Sequence, residues 1–144
     1  MALIDTGATH NFIDEKFVTH RGLHTEEHRG FKVMVADGFK IDCTKKIFNL
    51  QLRLGDYDMT GDFFVVNIGD QDMVLGMNWM KSLVEFTFNL QKMEMRFEVN
   101  GKKIVLRGLS AGRLQVVSLK RMQSFFRHDQ VQWVVEFRVI PEVT

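Results

Sequence analysis

The sequence predicts an all-β domain with short helices and a small C-terminal extension of mixed α/β character. Three observations carry that prediction. Apolar and polar residues alternate with a period of two through several runs, as half-buried strands require. Asn-Gly and Asp-Gly pairs separate runs of this kind. The stretches with helical spacing are short.

Taken in order, Ala2, Leu3 and Ile4 form a brief apolar strand that ends on Asp5. Asp14 is placed to cap a helix over Glu15 to His20, and Gly22 to close it. Phe31–Ala36 and Phe39–Cys43 flank Asp37-Gly38 and read as a hairpin. Phe48, Leu50, Leu52 and Leu54 alternate with polar residues, and Gly55-Asp56 turns the chain towards Phe63–Val66. Met77 to Leu83 suits a second short helix. Val84, Phe86, Phe88 and Leu90 alternate, as do Met93, Met95, Phe97 and Val99. Asn100-Gly101 then predicts a tight hairpin into Lys102–Arg107, because both central residues of such a turn take positive φ. Ser118 is expected to cap a helix carrying Leu119, Met122 and Phe125 on one face. A last strand follows, with Val131, Trp133, Val135, Phe137 and Val139 on one side.

Composition narrows the function classes. The 144 residues suit one domain with a core of its own. Hydrophobic residues at 45% and charged residues at 26% are those of an ordinary soluble globular protein. A net charge of +1, from 19 basic and 18 acidic side chains, leaves no footprint for nucleic acid or an anionic membrane. Cys43 is the only cysteine, so no intrachain disulfide can form. A cytoplasmic, reducing compartment is expected. No apolar run approaches the roughly 20 residues of a membrane span, and Asp5 comes too early for a signal peptide.

The chemistry is carried by Leu3-Ile4-Asp5-Thr6-Gly7-Ala8-Thr9. An apolar strand runs directly into an acid, a hydroxyl residue and a glycine. Such a turn can hold a carboxylate at a strand end, with the Gly7 N–H available to it. A bare Asp-(Ser/Thr)-Gly triplet is more often a surface turn than a site. Here, however, Ala2 to Ile13 resembles the active-site segment of retropepsins encoded by gypsy-type retrotransposons, particularly those of plants. A second block, Asp72-Met73-Val74-Leu75-Gly76-Met77-Asn78-Trp79-Met80, resembles the family's late strand and following helix. Asn78 departs from the Asp of many relatives. The resemblance covers about residues 2–107.

The resemblance implies a retropepsin-like closed β-barrel over residues 1–107, with 108–144 as an extension or spacer towards a following polyprotein domain. It implies that Asp5 is the catalytic carboxylate, that Thr6 interlocks across a dimer, and that Gly7 completes the loop. Ala8 and the hairpin residues Val35, Ala36, Asp37, Gly38 and Phe39 would contact substrate, the hairpin as a flap. Leu75 and Gly76 would support the loop from beneath. The chemistry needs two carboxylates sharing a proton, and no second Asp-(Ser/Thr)-Gly exists in the sequence. The expected enzyme is therefore a homodimer that cleaves an extended peptide or polyprotein without a cofactor.

Other readings compete. His20, His24 and His28 recur every four residues, but Gly22 and Gly30 interrupt any helix that would align them, so no metal site is expected. Ser110 lacks the strand-to-helix elbow of a serine hydrolase. The serious alternative is a retropepsin-like domain without activity, serving as a dimerisation or spacer module. The family has a further strand upstream of the Asp5 segment, and here that strand is expected to be missing. The apolar run Val131 to Ile140 is the expected substitute partner for the first strand.

Overall fold

The computed structural model describes residues 1–34, 40–69, 71–108, 115–118, 133–139 and 141–143. Among these described residues there are one curled sheet of nine strands, a second sheet of three, and two short helices. The all-β, retropepsin-like class read from the sequence is the class observed.

The sheet is built around the strand Ala2–Asp5 (β1), whose four residues are all buried. On one side it pairs in parallel with Met73–Leu75 (β6), and β6 pairs antiparallel with Phe12–Asp14 (β2). A strand buried on both faces must be apolar throughout, and Ala2-Leu3-Ile4 and Met73-Val74-Leu75 both are. Next to β2 comes Tyr57–Val66 (β5), paired in parallel, and then Lys40–Leu54 (β4), paired antiparallel with β5. Glu26–Met34 (β3) pairs with β4 off this path. The turn between β4 and β5 is Gly55-Asp56, with Leu54 opposite Tyr57 and Gly55 at φ 58°.

The far C-terminal part belongs to the same sheet. Trp133–Val139 (β11) pairs antiparallel with β1, putting Ala2 opposite Val139 and Asp5 opposite Glu136. Gln115–Ser118 (β10) lies on the other side of β11. Pro141–Val143 (β12) pairs with the end of β4. The strand order thus returns towards its start, since β11 flanks β1 and β12 flanks β4, one residue apart in sequence. Of the run Val131 to Ile140 expected to partner the first strand, the described part, Trp133–Val139, does pair with it. The expected helix after Ser118 lies outside the described residues, and Ser118 itself ends β10.

Asp14 caps Glu15–Arg21 (α1) by accepting from the Lys16 N–H, and its other oxygen accepts from the Ile68 N–H at 3.0 Å. Gly22, at φ 60°, closes that helix. Met77–Ser82 (α2) follows Gly76. The second sheet is Phe86–Asn89 (β7), Glu94–Val99 (β8) and Lys102–Arg107 (β9), in that order. Asn100 and Gly101 take φ of 51° and 77° in the turn between β8 and β9, as their pairing predicts. Met95, Phe97, Ile104 and Leu106 press this sheet onto Leu52, Leu54, Phe63 and Trp79, forming one core. Phe97 meets Tyr57 edge-on, with ring centroids 5.0 Å apart.

Two alternating runs depart from expectation. Phe48 is 44% exposed, not buried with Leu50, Leu52 and Leu54. The β4–β5 register shifts between Ile47 and Leu50, and Asn49 takes φ 53°. That irregularity turns Phe48 outward, where the Lys46 ammonium lies 4.7 Å from its ring. Val84 and Leu90 fall outside β7 and are 88% and 64% exposed.

Candidate active site

Asp5 is the last residue of β1 and only 1% exposed. Burying a carboxylate is costly unless donors replace water. The Gly7 N–H donates to Asp5 Oδ1 at 2.8 Å, and the Ala8 N–H donates to the Asp5 backbone carbonyl at 3.2 Å. These bonds fold residues 5–8 into a tight turn at the strand end. Thr6 at its apex is half-buried, while Gly7 and Ala8 are buried.

The turn rests on the second motif. The Met77 N–H donates to the Ala8 carbonyl at 2.6 Å, and the Asn78 N–H donates to the Thr9 carbonyl at 3.0 Å. The first-turn donors of α2 are thereby satisfied by the loop instead of by a side-chain cap. Gly76 lies so close that a Cβ there would stand 2.7 Å from the Ala8 carbonyl oxygen and collide with that of His10. Only glycine permits this approach. Leu75 is fully buried in the core beneath. Asn78 is exposed and contributes its backbone, so the departure from Asp at this position leaves the contact with the loop in place.

One residue escaped the sequence reading. Asn11 is 7% exposed; its Oδ1 accepts from the Gly76 N–H at 3.0 Å and its Nδ2 donates to the Asp62 carbonyl at 3.3 Å. It stitches the loop, β5 and the start of α2 together. The available signal was an amide sandwiched between a turn and the apolar strand Phe12-Ile13, where a polar side chain must find buried partners.

The rim beside the loop is aromatic and basic. His10 packs edge-on against Phe64 at 5.5 Å, and Lys46 lies 4.9 Å over the same ring. His28 also meets Phe64, at 5.2 Å. Burial, then the Lys46 charge, holds the His10 imidazolium below its ordinary range. Cys43 is buried nearby, its Sγ 3.3 Å from the Val65 carbonyl, and burial pushes its thiol up. It is a packing residue with little thiolate character. His20 lies on α1 and His28 in β3, so the spacing of four does not gather these histidines on one helix.

The arms of the expected flap are described, with Met34 opposite Lys40 and Val33 opposite Ile41. Val35, Ala36, Asp37, Gly38 and Phe39 lie outside the described residues. Among the described residues, no helix is long and apolar enough to cross a membrane.

Among curated proteins, none matches the chain. The family model of the PEG10/RTL1 protease domain matches residues 1–101, a span that takes in the Asp5 turn, the β3–β4 arms and the Leu75-Gly76 support. The chain therefore belongs to the PEG10/RTL1 protease domain family, retropepsin-like aspartic proteases of gypsy-type retrotransposon origin.

Proposed function

We propose that the chain is an aspartic endopeptidase that works as a homodimer, with Asp5 of each copy supplying one carboxylate of a shared dyad. The observation that carries this reading is Asp5 itself: an acid 1% exposed at a strand end, held by the Gly7 N–H and backed by Gly76. Two like charges at close range cannot both ionise, so the pair keeps one proton. The ionised carboxylate takes a proton from water, and the protonated one polarises the scissile carbonyl. Water adds to that carbon, and the C–N bond then breaks with proton transfer to the leaving amine. Thr6 would brace the two loops against each other. Ala8 and residues 35–39 would line an extended peptide beneath the β3–β4 hairpin.

The Ala2–Ile13 segment supports a plant-type retrotransposon polyprotein as the setting, and the lone buried thiol suits a cytoplasmic, reducing compartment. Neither a cofactor nor a metal enters the reaction.

Asp5→Asn tests the reading. It should cut peptide hydrolysis by at least about a thousandfold, as loss of an essential group does, with the circular dichroism spectrum unchanged. Wild-type activity should fall as pH rises through the upper dyad pKa. Activity per chain should also fall on dilution below the dimer dissociation constant. A cleanly purified Asp5→Asn variant with full activity would sink the assignment. A well-folded wild-type dimer that cleaves nothing would instead favour the spacer or dimerisation module.

A further inference from the structure

Asp5 has a neighbour that the family match does not supply. β11 runs antiparallel to β1, and the residue at the position opposite Asp5 is Glu136. The matched span ends at residue 101, so this acid lies outside it. The register thus sets a second carboxylic acid opposite the candidate catalytic one within a single chain.

β1 divides its residues between two clusters. Ala2 and Ile4 belong to the large core, and Leu3 belongs to the smaller cluster with Ala8, Phe12 and Val74. Asp5, two residues beyond Leu3, shares its side of the strand. Opposed residues of an antiparallel pair lie on one face, with Cβ atoms about 4.5–5.5 Å apart. Like charges at such positions repel, and the repulsion is strong where water is excluded. Asp5 is only 1% exposed. The other strands beside this pair bring no charge to it. Gln115 of β10 stands opposite Glu136, and β6 runs through Leu75 into Gly76, Met77 and Asn78. On the loop the nearest titratable residue in sequence is His10, whose ring packs on Phe64. The cation to weigh is Arg138 of β11, opposite Leu3.

We propose that Glu136 is a positioning residue for the Asp5 proton. Its charge disfavours ionisation of Asp5, so the dyad keeps its one proton to higher pH. The inference rests on the reading of Asp5 as half of a shared dyad, and it names what regulates that site. No bond forms or breaks at Glu136. Each copy carries its own Glu136, so both halves of the dyad feel the same bias, and the active pH window extends upward.

Glu136→Gln removes the charge and nearly keeps the shape. The upper limb of the pH–rate profile should move down by about one unit. Glu136→Asp, which keeps the charge, should leave that limb within about half a unit of the wild type. A rate lowered equally at every pH, with the limb unmoved, would mark a merely structural role and overturn the proposal. A second readout needs no activity. An acid whose pKa is raised by folding costs stability as pH rises through the ordinary carboxylate range. In urea titrations Glu136→Gln should therefore raise the folding equilibrium constant about tenfold at about pH 7 and leave it unchanged at about pH 3. In an Asp5→Asn background the same substitution should gain nothing, because the charge it repels is gone. Glu142→Gln, on β12 opposite Arg53, should show no coupling to Asp5. An additive Asp5/Glu136 cycle would overturn the proposal. So would a loss of stability at neutral pH in Glu136→Gln, which would mean that Glu136 is spent on Arg138. The cycle also separates the two readings. Coupling in a chain whose Asp5→Asn variant still cleaves peptide would keep the carboxylate pair and remove the dyad. Additivity in a peptidase that depends on Asp5 would do the reverse.

Discussion

The two ends of α2 are built in opposite ways. Its start, Gly76-Met77-Asn78, lies under the Asp5 loop, with backbone donors spent on Ala8 and Thr9 and no room for a Cβ. Its end runs through Leu83 into Val84, a β-branched residue at φ 69° with its side chain 88% exposed. Positive φ for such a residue costs about 1–3 kcal/mol, set against one backbone bond from the Val84 N–H to the Lys81 carbonyl at 3.3 Å. The contrast teaches where the fold invests its packing. The loop that holds the carboxylate is over-determined from within one chain, whereas the turn after α2 stays open and strained.

Four changes would break or sharpen that contrast. Deleting Gln130 to Thr144 strips β11 from β1 and β12 from β4, so it should damage the packed end most. β1 would become an edge, and the buried Pro141 would be lost. The expected loss is on the order of 5 kcal/mol, comparable to a small domain's whole stability, read as a collapse of the urea midpoint. An unchanged midpoint would mean that β11 and β12 are dispensable to the barrel.

Gly76→Ala comes next. The new methyl would be driven into the Ala8 and His10 carbonyls, both backbone and both fixed. A loss of about 3 kcal/mol is expected, with a fall in peptidase activity at temperatures where the variant is still folded. A neutral effect would show that the loop can lift away from α2.

Val84→Gly probes the open end. Glycine tolerates positive φ, so the monomer should gain about 1 kcal/mol of stability. Thermal melts check this, and an unchanged or lower midpoint would mean that the positive φ at Val84 costs the fold little.

The smallest effect concerns His10 at the rim. Burial and Lys46 lower its pKa, so the unfolded chain binds the proton more readily than the folded one. Stability should therefore be intact above the ordinary histidine range of about 6.5 and decline as pH falls through the lowered value. His10→Gln should flatten that acid-side decline slightly in urea titrations at stepped pH. A steeper decline would mean that protonated His10 is stabilised in the fold.

Much of this was legible in the residues. Asp14 and Gly22 bracket α1, Asn100-Gly101 turns β8 into β9, and Cys43 packs as a small buried group. The Asp5 turn was legible as an acid, a hydroxyl residue and a glycine at a strand end, but it and Leu75-Gly76 stood out as a site only through the family resemblance. Phe48, Val84 and Leu90 were misread because alternation assumes an unbroken pleat. An irregularity at Phe48-Asn49 and early strand ends at Val84 and Leu90 turned all three outward. Asn11 was passed over because its partners, Gly76 and Asp62, lie far along the chain.

By itself the sequence determined the β class, the turns, the candidate acid and the family resemblance, since each depends on local residue chemistry. Only the tertiary structure decided which strands neighbour β1, that α2 caps itself on the Asp5 loop, and that β11 runs alongside β1 and β12 alongside β4. Those are long-range pairings between backbone groups. Backbone groups are alike in every residue, so the pairings are selected by how the whole chain packs.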